Sequence, residues 1–84
     1  MTEIKIGKVT HFFPKISVTV VELSGTLRKG DRIALIAKTG ERFEQVVESM
    51  QIEKKQVTEA GSGQSIGLKV SKEPKMNSDV VKIQ

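Results

Sequence analysis

The chain has 84 residues, a net charge of +4, 37% hydrophobic residues and no cysteine. This length predicts one small domain over residues 1–84, without space for a separate catalytic domain. The absence of cysteine excludes disulfides and thiolate metal sites, and a single histidine cannot build a histidine zinc site. No apolar run approaches the roughly 18 residues of a spanning helix, and the N-terminus lacks a signal-peptide core. We therefore expect a cytoplasmic protein with no membrane partner.

Strand and turn signals along the chain predict an all-β fold. Valine and isoleucine form more than half of the apolar set, and β-branched side chains pack well on pleated sheets. Strands are predicted at residues 4–12, 16–23, 33–37, 65–70 and 79–83. Gly7 interrupts the first of them, as is typical of a β-bulge. Short strands separated by turns predict a small closed antiparallel β-barrel of about six to seven strands.

The segment around Gly30 predicts a tight turn between two core residues. Gly30 can adopt a positive φ at no steric cost, and the Asp31 carboxylate can accept hydrogen bonds from amides of the turn. Leu27 and Ile33 stand on either side and are expected in the core.

Residues 42–52 fit two patterns. Phe43, Val46, Val47 and Met50 recur at helical spacing, whereas a strand would alternate its apolar residues between two faces. Periodicity slightly favours the helix, and the β-rich surroundings favour the strand.

No motif in the sequence predicts catalysis or a cofactor. The glycines of residues 61–67 depart from a dinucleotide fingerprint because the third comes one position late and a strand signal follows. No Walker-type glycine loop is present. His11 is the one candidate general base at neutral pH, so a hydrolase using His11 is an alternative, but a surface position is expected. We predict a protein that is not an enzyme and has no cofactor, metal or nucleotide.

Basic side chains at the turns are the best binding candidates. We predict a nucleic-acid-binding face from two sequence-distant clusters, and an ordinary solvated surface is the alternative. Its members are Arg28, Lys29, Arg32, Lys54 and Lys55. Phe12, Phe13 and Pro14 form either an apolar tip for a protein partner or, as the more expected arrangement, a core residue followed by a turn cover.

Three segments resemble the second domain of translational GTPases such as elongation factor Tu and initiation factor 2. Residues 7–20 are similar to its opening hairpin, residues 25–33 to its "G-x-L-x-x-G-D-x-hydrophobic" turn, and residues 46–68 to the stretch that includes its "A-G-x-x-V-G-L" strand. A final glycine–aspartate turn is replaced by Asn77-Ser78-Asp79, and the GTPase domain is absent. The C-terminal barrel of collagenase-like peptidases is also similar.

The resemblance implies strands through residues 42–52 and a narrow barrel interior. That interior is expected to hold Ile16, Val18, Val20, Ile33, Leu35, Val46, Ile66, Leu68 and Val81. The function it implies is a stand-alone, elongation-factor-like binding module that contacts RNA, the ribosome or a translation-associated protein. The alternative is an accessory protein-interaction barrel that serves a peptidase. The oligomeric state is left open.

Overall fold

Ten β-strands make up the computed structural model, which describes residues 2–83. They are β1 (Glu3–Phe13), β2 (Val18–Leu23), β3 (Leu27–Arg28), β4 (Arg32–Ile36), β5 (Arg42–Val46), β6 (Met50–Ile52), β7 (Lys55–Val57), β8 (Glu59–Ala60), β9 (Ser65–Lys69) and β10 (Asp79–Ile83). No helix occurs in residues 2–83, so the all-β prediction is confirmed. The strand count exceeds the prediction because four of the ten have only two or three residues.

The sheet is open, so the predicted closed barrel is wrong. Eight antiparallel strands follow the order β5-β4-β10-β1-β2-β9-β6-β7, and β3 pairs separately with β8. No ladder joins the terminal strands β5 and β7 across the described chain. Val47, just after β5, instead exchanges backbone hydrogen bonds with the turn at Gly30 and Asp31, at 2.8 Å each. This detour leaves β5 without a second partner strand.

Residues 42–52 are extended, as the resemblance implied, but they are split between β5 and β6. Residues 47–49 lie outside both strands, and Val47 is buried there. The helical spacing arose because Val47 in the connection and Met50 on β6 are both buried in the core.

Two register shifts bend β1. Its pairing with β10 shifts between Lys5 and Gly7, and its pairing with β2 shifts between Val9 and His11. The bulge predicted at Gly7 is therefore confirmed. A Cβ at Gly7 would lie 2.7 Å from Cγ1 of Val21, so this close approach requires glycine.

One hydrophobic cluster collects side chains from both sheets. Its fully buried large members are Val9, Val21, Leu27, Ile33, Leu35, Val47, Met50, Ile66, Leu68 and Val80. The predicted interior is right at Ile33, Leu35, Ile66, Leu68 and Val81.

The predicted interior is wrong on β2 and β5. Ile16 and Val46 are 58% and 49% exposed, and Val18 and Val20 are only partly buried. On β2 the inward residues are Thr19, Val21 and Leu23. Thr19 is tolerated in the core because its hydroxyl donates a 2.6 Å hydrogen bond to the carbonyl of His11.

The turn at Gly30 matches its prediction. Gly30 has φ +94°, and the Asp31 carboxylate accepts a 2.9 Å hydrogen bond from the backbone N–H of Arg28. Leu27 and Ile33 are buried on either side. The last turn forms without glycine because Asn77 takes φ +63°.

Candidate interaction surfaces

The two arginines of the predicted basic face are neutralised by carboxylates. Arg28 on β3 lies directly opposite Glu59 on β8, and its Nε is 3.0 Å from the Glu59 carboxylate. Arg32 on β4 lies 3.3 Å from Glu44 on β5. These ion pairs reduce the charge that the arginines offer to a polyanion.

The three lysines of the predicted face are less neutralised. Lys29, Lys54 and Lys55 have no carboxylate within 4.0 Å among residues 2–83. The backbone N–H of Lys29 donates to the carbonyl of Thr58 at 2.8 Å. Lys55 precedes Thr58 by three residues on an extended chain, and at the rise of a β-strand this separates the two backbones by about 10 Å. The backbones of Lys29 and Lys55 are therefore within reach of each other, Arg32 lies on β4 elsewhere in the sheet, and nucleic-acid binding stays a prediction.

A chain of ion pairs joins Arg42 on β5 to Glu3 on β1. Arg42 donates to both carboxylate oxygens of Glu3, at 3.0 Å for Nη1, and to Glu44 at 3.2 Å. The hydrogen bond from Arg42 lowers the pKa of Glu3 below its ordinary value. The same bond raises the pKa of Arg42. The charged groups of this cluster are paired with one another and line a small cavity of about 150 Å³.

Exposed apolar side chains gather at the opposite end of β1. Phe13, Ile16 and Met76, which we call the tip patch, are 44%, 58% and 55% exposed. The ring of His11 contacts that of Phe13, with centroids 5.0 Å apart. Exposed apolar side chains near one end of a small domain are candidates for contact with another molecule.

Local backbone geometry places the tip patch outside the core. Ser17 takes φ +54° in the connection between β1 and β2, and Ile16 in the same connection is exposed. Phe12 packs against the core, whereas its neighbour Phe13 points the other way. The more expected arrangement is therefore right in placing Phe12 against the core, and Phe13 beside it is exposed. Ile16 was wrongly assigned to the interior and Met76 was missed, although an apolar residue between Lys75 and Asn77 in a turn was a visible signal.

A shallow depression of about 470 Å³ lies beside the tip patch. Phe12 and Pro14 form one side of it, and Pro74 and Met76 form the other. Its walls are mostly apolar, with Glu73 and Lys75 at the rim.

Neither a metal-binding cluster nor a hydrogen-bonded histidine side chain occurs among residues 2–83. No group of three His, Cys, Asp or Glu side chains in residues 2–83 could hold a metal ion. His11 contacts an aromatic ring, and no hydroxyl or carboxylate of these residues forms a hydrogen bond with the His11 imidazole. Across the same range no helix has the length and apolar character needed to cross a membrane.

Comparison with known proteins links the chain to peptidases. No family model matches it. Over 69 residues it is 44% identical to an uncharacterized protease of Methanocaldococcus jannaschii, an alignment that covers 82% of this chain. The chain spans only 17% of the length of that protease.

Two solved structures share the fold. Both are of the C-terminal domain of a candidate U32 peptidase from Geobacillus thermoleovorans, one of them its selenomethionine variant. The TM-scores are 0.87 and 0.82, at 22% sequence identity in each case. The alignments cover 95% and 94% of this chain and 92% and 98% of those domains. The chain therefore has the fold of a U32 peptidase C-terminal domain.

The resemblance to translational GTPases is overturned by these matches. The segment that carried it most specifically, residues 25–33, is explained by local geometry: a positive φ at Gly30 and a capping carboxylate at Asp31. Any small β domain with this turn requires a residue that tolerates positive φ and benefits from a capping carboxylate. The motif therefore indicates a backbone conformation and not membership of one protein family. Assignment to translation, as an elongation- or initiation-factor-like protein, is wrong. The peptidase-domain alternative is the better supported one.

Proposed function

We propose that this chain is an accessory, non-catalytic β domain that acts in the cytoplasm with the catalytic part of a U32-type peptidase. The proposal rests on how much of each relative the chain covers. The chain aligns with only a domain-sized fraction of a protease, and it covers nearly all of a solved peptidase C-terminal domain. The similarity therefore concerns one module of such a protein.

The surface of the chain supports a binding role. The tip patch and the adjoining depression offer apolar contacts, whereas His11 lacks the hydrogen-bonded partners that a general base requires. Glu3 on β1 pairs with Ile83 on β10, so both ends of the described chain lie together at the end of β1 away from Phe13. A catalytic part joined at either end would leave the tip patch accessible.

A domain exchange tests the proposal. The segment of the Methanocaldococcus jannaschii protease that matches this chain is deleted, or replaced by residues 2–83 of this chain, and peptide hydrolysis is measured for all three proteins. We expect activity to fall on deletion and to return in the chimera, while this chain alone hydrolyses nothing. Hydrolysis by this chain alone, or a chimera no better than the deletion, would contradict the proposal.

A second candidate function is RNA binding through Lys29, Lys54 and Lys55. It is supported by the absence of carboxylates within 4.0 Å of these lysines in the described chain and by the net charge of +4. Backbone phosphates are the groups that such lysines would contact.

A further inference from the structure

We propose that the edge of β1 at residues 10–13 binds an extended polypeptide segment by strand addition. This inference rests on the proposed function only for the class of ligand, since a domain that acts with a peptidase encounters polypeptide chains. Its structural basis is a length of β1 that has a partner strand on one side alone.

The pairing registers define this free edge. β2 accompanies β1 as far as Phe13, opposite Val18. On the other side β10 begins at Asp79, opposite Lys8. Beyond that point, residues 2–83 contribute only two backbone hydrogen bonds on this side, both at Val9, with Asn77 and Ser78. No strand of residues 2–83 covers the second side of residues 10–13.

The conformation of the 71–78 connection keeps the edge open. Asn77 takes φ +63°, and the N–H of Ser78 bonds back to the carbonyl of Lys75 at 3.2 Å. Pro74 and Met76, just before this turn, lie across the depression from Phe12 and Pro14, and no backbone hydrogen bond joins the 71–78 connection to residues 10–13. A peptide can enter the gap between the two segments, since alternate residues of a strand edge present N–H and C=O groups outward.

The side chains around the edge select the occupant. Phe13 and Met76 flank it with exposed apolar surface, and the depression beside Phe12 and Pro14 can receive a side chain. Lys75 is paired with Glu41 at 2.8 Å. Lys15 follows Pro14 and Lys72 precedes Glu73 in the chain, so the two segments beside the depression carry two further lysines and one further carboxylate. The chemistry therefore fits an extended segment with apolar side chains on alternate residues and a nearby carboxylate.

The other open edges are poorer sites for strand addition. The edge of β5 is covered in part by hydrogen bonds of Gln45 to the carbonyl of Lys69 and the N–H of Ser71. β7 has three residues, and exposed polar Lys55 and Gln56 are two of them. Short, charged edges resist pairing with another chain.

A pair of peptides tests strand addition directly. The probe is a fluorescent octapeptide that alternates valine with threonine and ends in glutamate, and its control carries N-methyl groups on alternate backbone nitrogens. Binding is followed by anisotropy and by amide shifts of the ¹⁵N-labelled full chain. We expect the unmethylated peptide to bind and to shift the amides of residues 10–13. Equal binding of the methylated peptide, absence of binding, or shifts confined to β5 or β7, would overturn the proposal.

Matched variants locate the site. Phe13→Gln combined with Met76→Gln should weaken binding by about tenfold or more, as expected for loss of buried apolar anchors without a change in charge. Ile4→Gln combined with Val46→Gln is the control, because these residues are 43% and 49% exposed, against 44% and 55% for Phe13 and Met76. Both variants change exposed positions, and thermal melts confirm that they fold. Equal weakening by the two variants would also overturn the proposal.

The domain exchange and the peptide assay fail independently. A chain that binds the octapeptide at residues 10–13 but does not restore the protease keeps the strand-addition site and loses the peptidase role. A chimera that restores hydrolysis, while the chain does not bind the octapeptide, keeps the peptidase role and loses the strand-addition site.

Discussion

The side chain of Gln45 on β5 bonds to the backbone of Lys69 at the end of β9, across a gap that no strand ladder closes. Its Nε2 donates to the Lys69 carbonyl at 2.8 Å, and its Oε1 accepts from the N–H of Ser71 at 3.0 Å. An amide side chain carries one acceptor and one donor group, as a peptide unit does. Gln45 therefore forms, at one position, the donor and acceptor hydrogen bonds that paired backbones would form between the terminal strands of a closed barrel.

Removing this bridge should loosen the open side of the sheet. Gln45→Ala is expected to lower the free energy of unfolding by about 1–2 kcal/mol, because two modest hydrogen bonds are lost at a partly exposed site. Urea denaturation followed by circular dichroism measures the change. Gln56→Ala, at an exposed position on β7, is the control and should have almost no effect. Equal effects of the two substitutions would show that Gln45 does not bridge the gap.

A methyl group at Gly7 should distort the bulge of β1. The added Cβ would lie 2.7 Å from Cγ1 of Val21 and 2.9 Å from the carbonyl oxygen of Glu22. Since the second atom is backbone, relief requires movement of β2, and we expect Gly7→Ala to cost about 1–3 kcal/mol. Gly61→Ala is the control because the nearest atom to its Cβ would be 3.9 Å away. Thermal melts of both variants compare the two positions, and a Gly7→Ala protein as stable as the control would contradict the close approach.

Much of the fold follows from local sequence signals, and the register does not. The bulge at Gly7 and the turn at Gly30 were predictable because a glycine within a strand pattern and a glycine before aspartate are each a local sequence signal. Which face of β2 points inward depends instead on its pairing with β1 and β9. That pairing places Thr19 in the core and leaves Val20 partly exposed, the reverse of what hydrophobicity alone predicts.

Alanine substitutions at Leu68 and Val46 separate the predicted interior from the observed one. Leu68 is fully buried, so Leu68→Ala should cost about 2–5 kcal/mol through lost contacts and a cavity. Val46 was predicted in the same interior but is 49% exposed, so Val46→Ala should change stability by less than about 0.5 kcal/mol. Chemical denaturation of both proteins gives the comparison. A large loss at Val46 would restore the interior predicted from the sequence.

The candidate surfaces were only partly predictable from the sequence. Lys54 and Lys55 follow each other in the chain, so their common location was certain. The neutralisation of Arg28 by Glu59 depends on the pairing of β3 with β8, between residues far apart in sequence. The free edge of β1 depends on where β10 begins relative to β1, which no local pattern reveals.

Charge reversal tests the predicted nucleic-acid face. Lys54→Glu combined with Lys55→Glu should abolish low-salt binding of the chain to single-stranded RNA, because both side chains would then repel phosphate. Filter binding at two salt concentrations measures this, and binding by the unmodified chain should weaken as salt rises. Lys38→Glu combined with Lys72→Glu is the control, with the same change in net charge at other exposed positions. If the control loses as much binding, the attraction comes from net charge and not from this face.

Acid should selectively weaken the ion pairs of Arg42 and Lys75. Hydrogen bonds from Arg42 to Glu3 and from Lys75 to Glu41 lower the pKa of each carboxyl below its ordinary value of 4.5. A lowered pKa in the folded state means that the stabilisation is complete above pH 4.5 and is lost as the pH falls through the folded value.

The double variant Arg42→Gln/Lys75→Gln should therefore be less stable than the original chain at pH 7, and the difference should shrink as the pH falls below 4.5. Both carboxyls are exposed, so the effect is small and 0.5 M salt should reduce it further. Urea midpoints at several pH values measure the difference. Lys38→Gln is the control, since Lys38 has no carboxylate within 4.0 Å among residues 2–83. A stability difference that stays constant from pH 7 to pH 2 would show that Arg42 and Lys75 act through packing and not through these carboxylates.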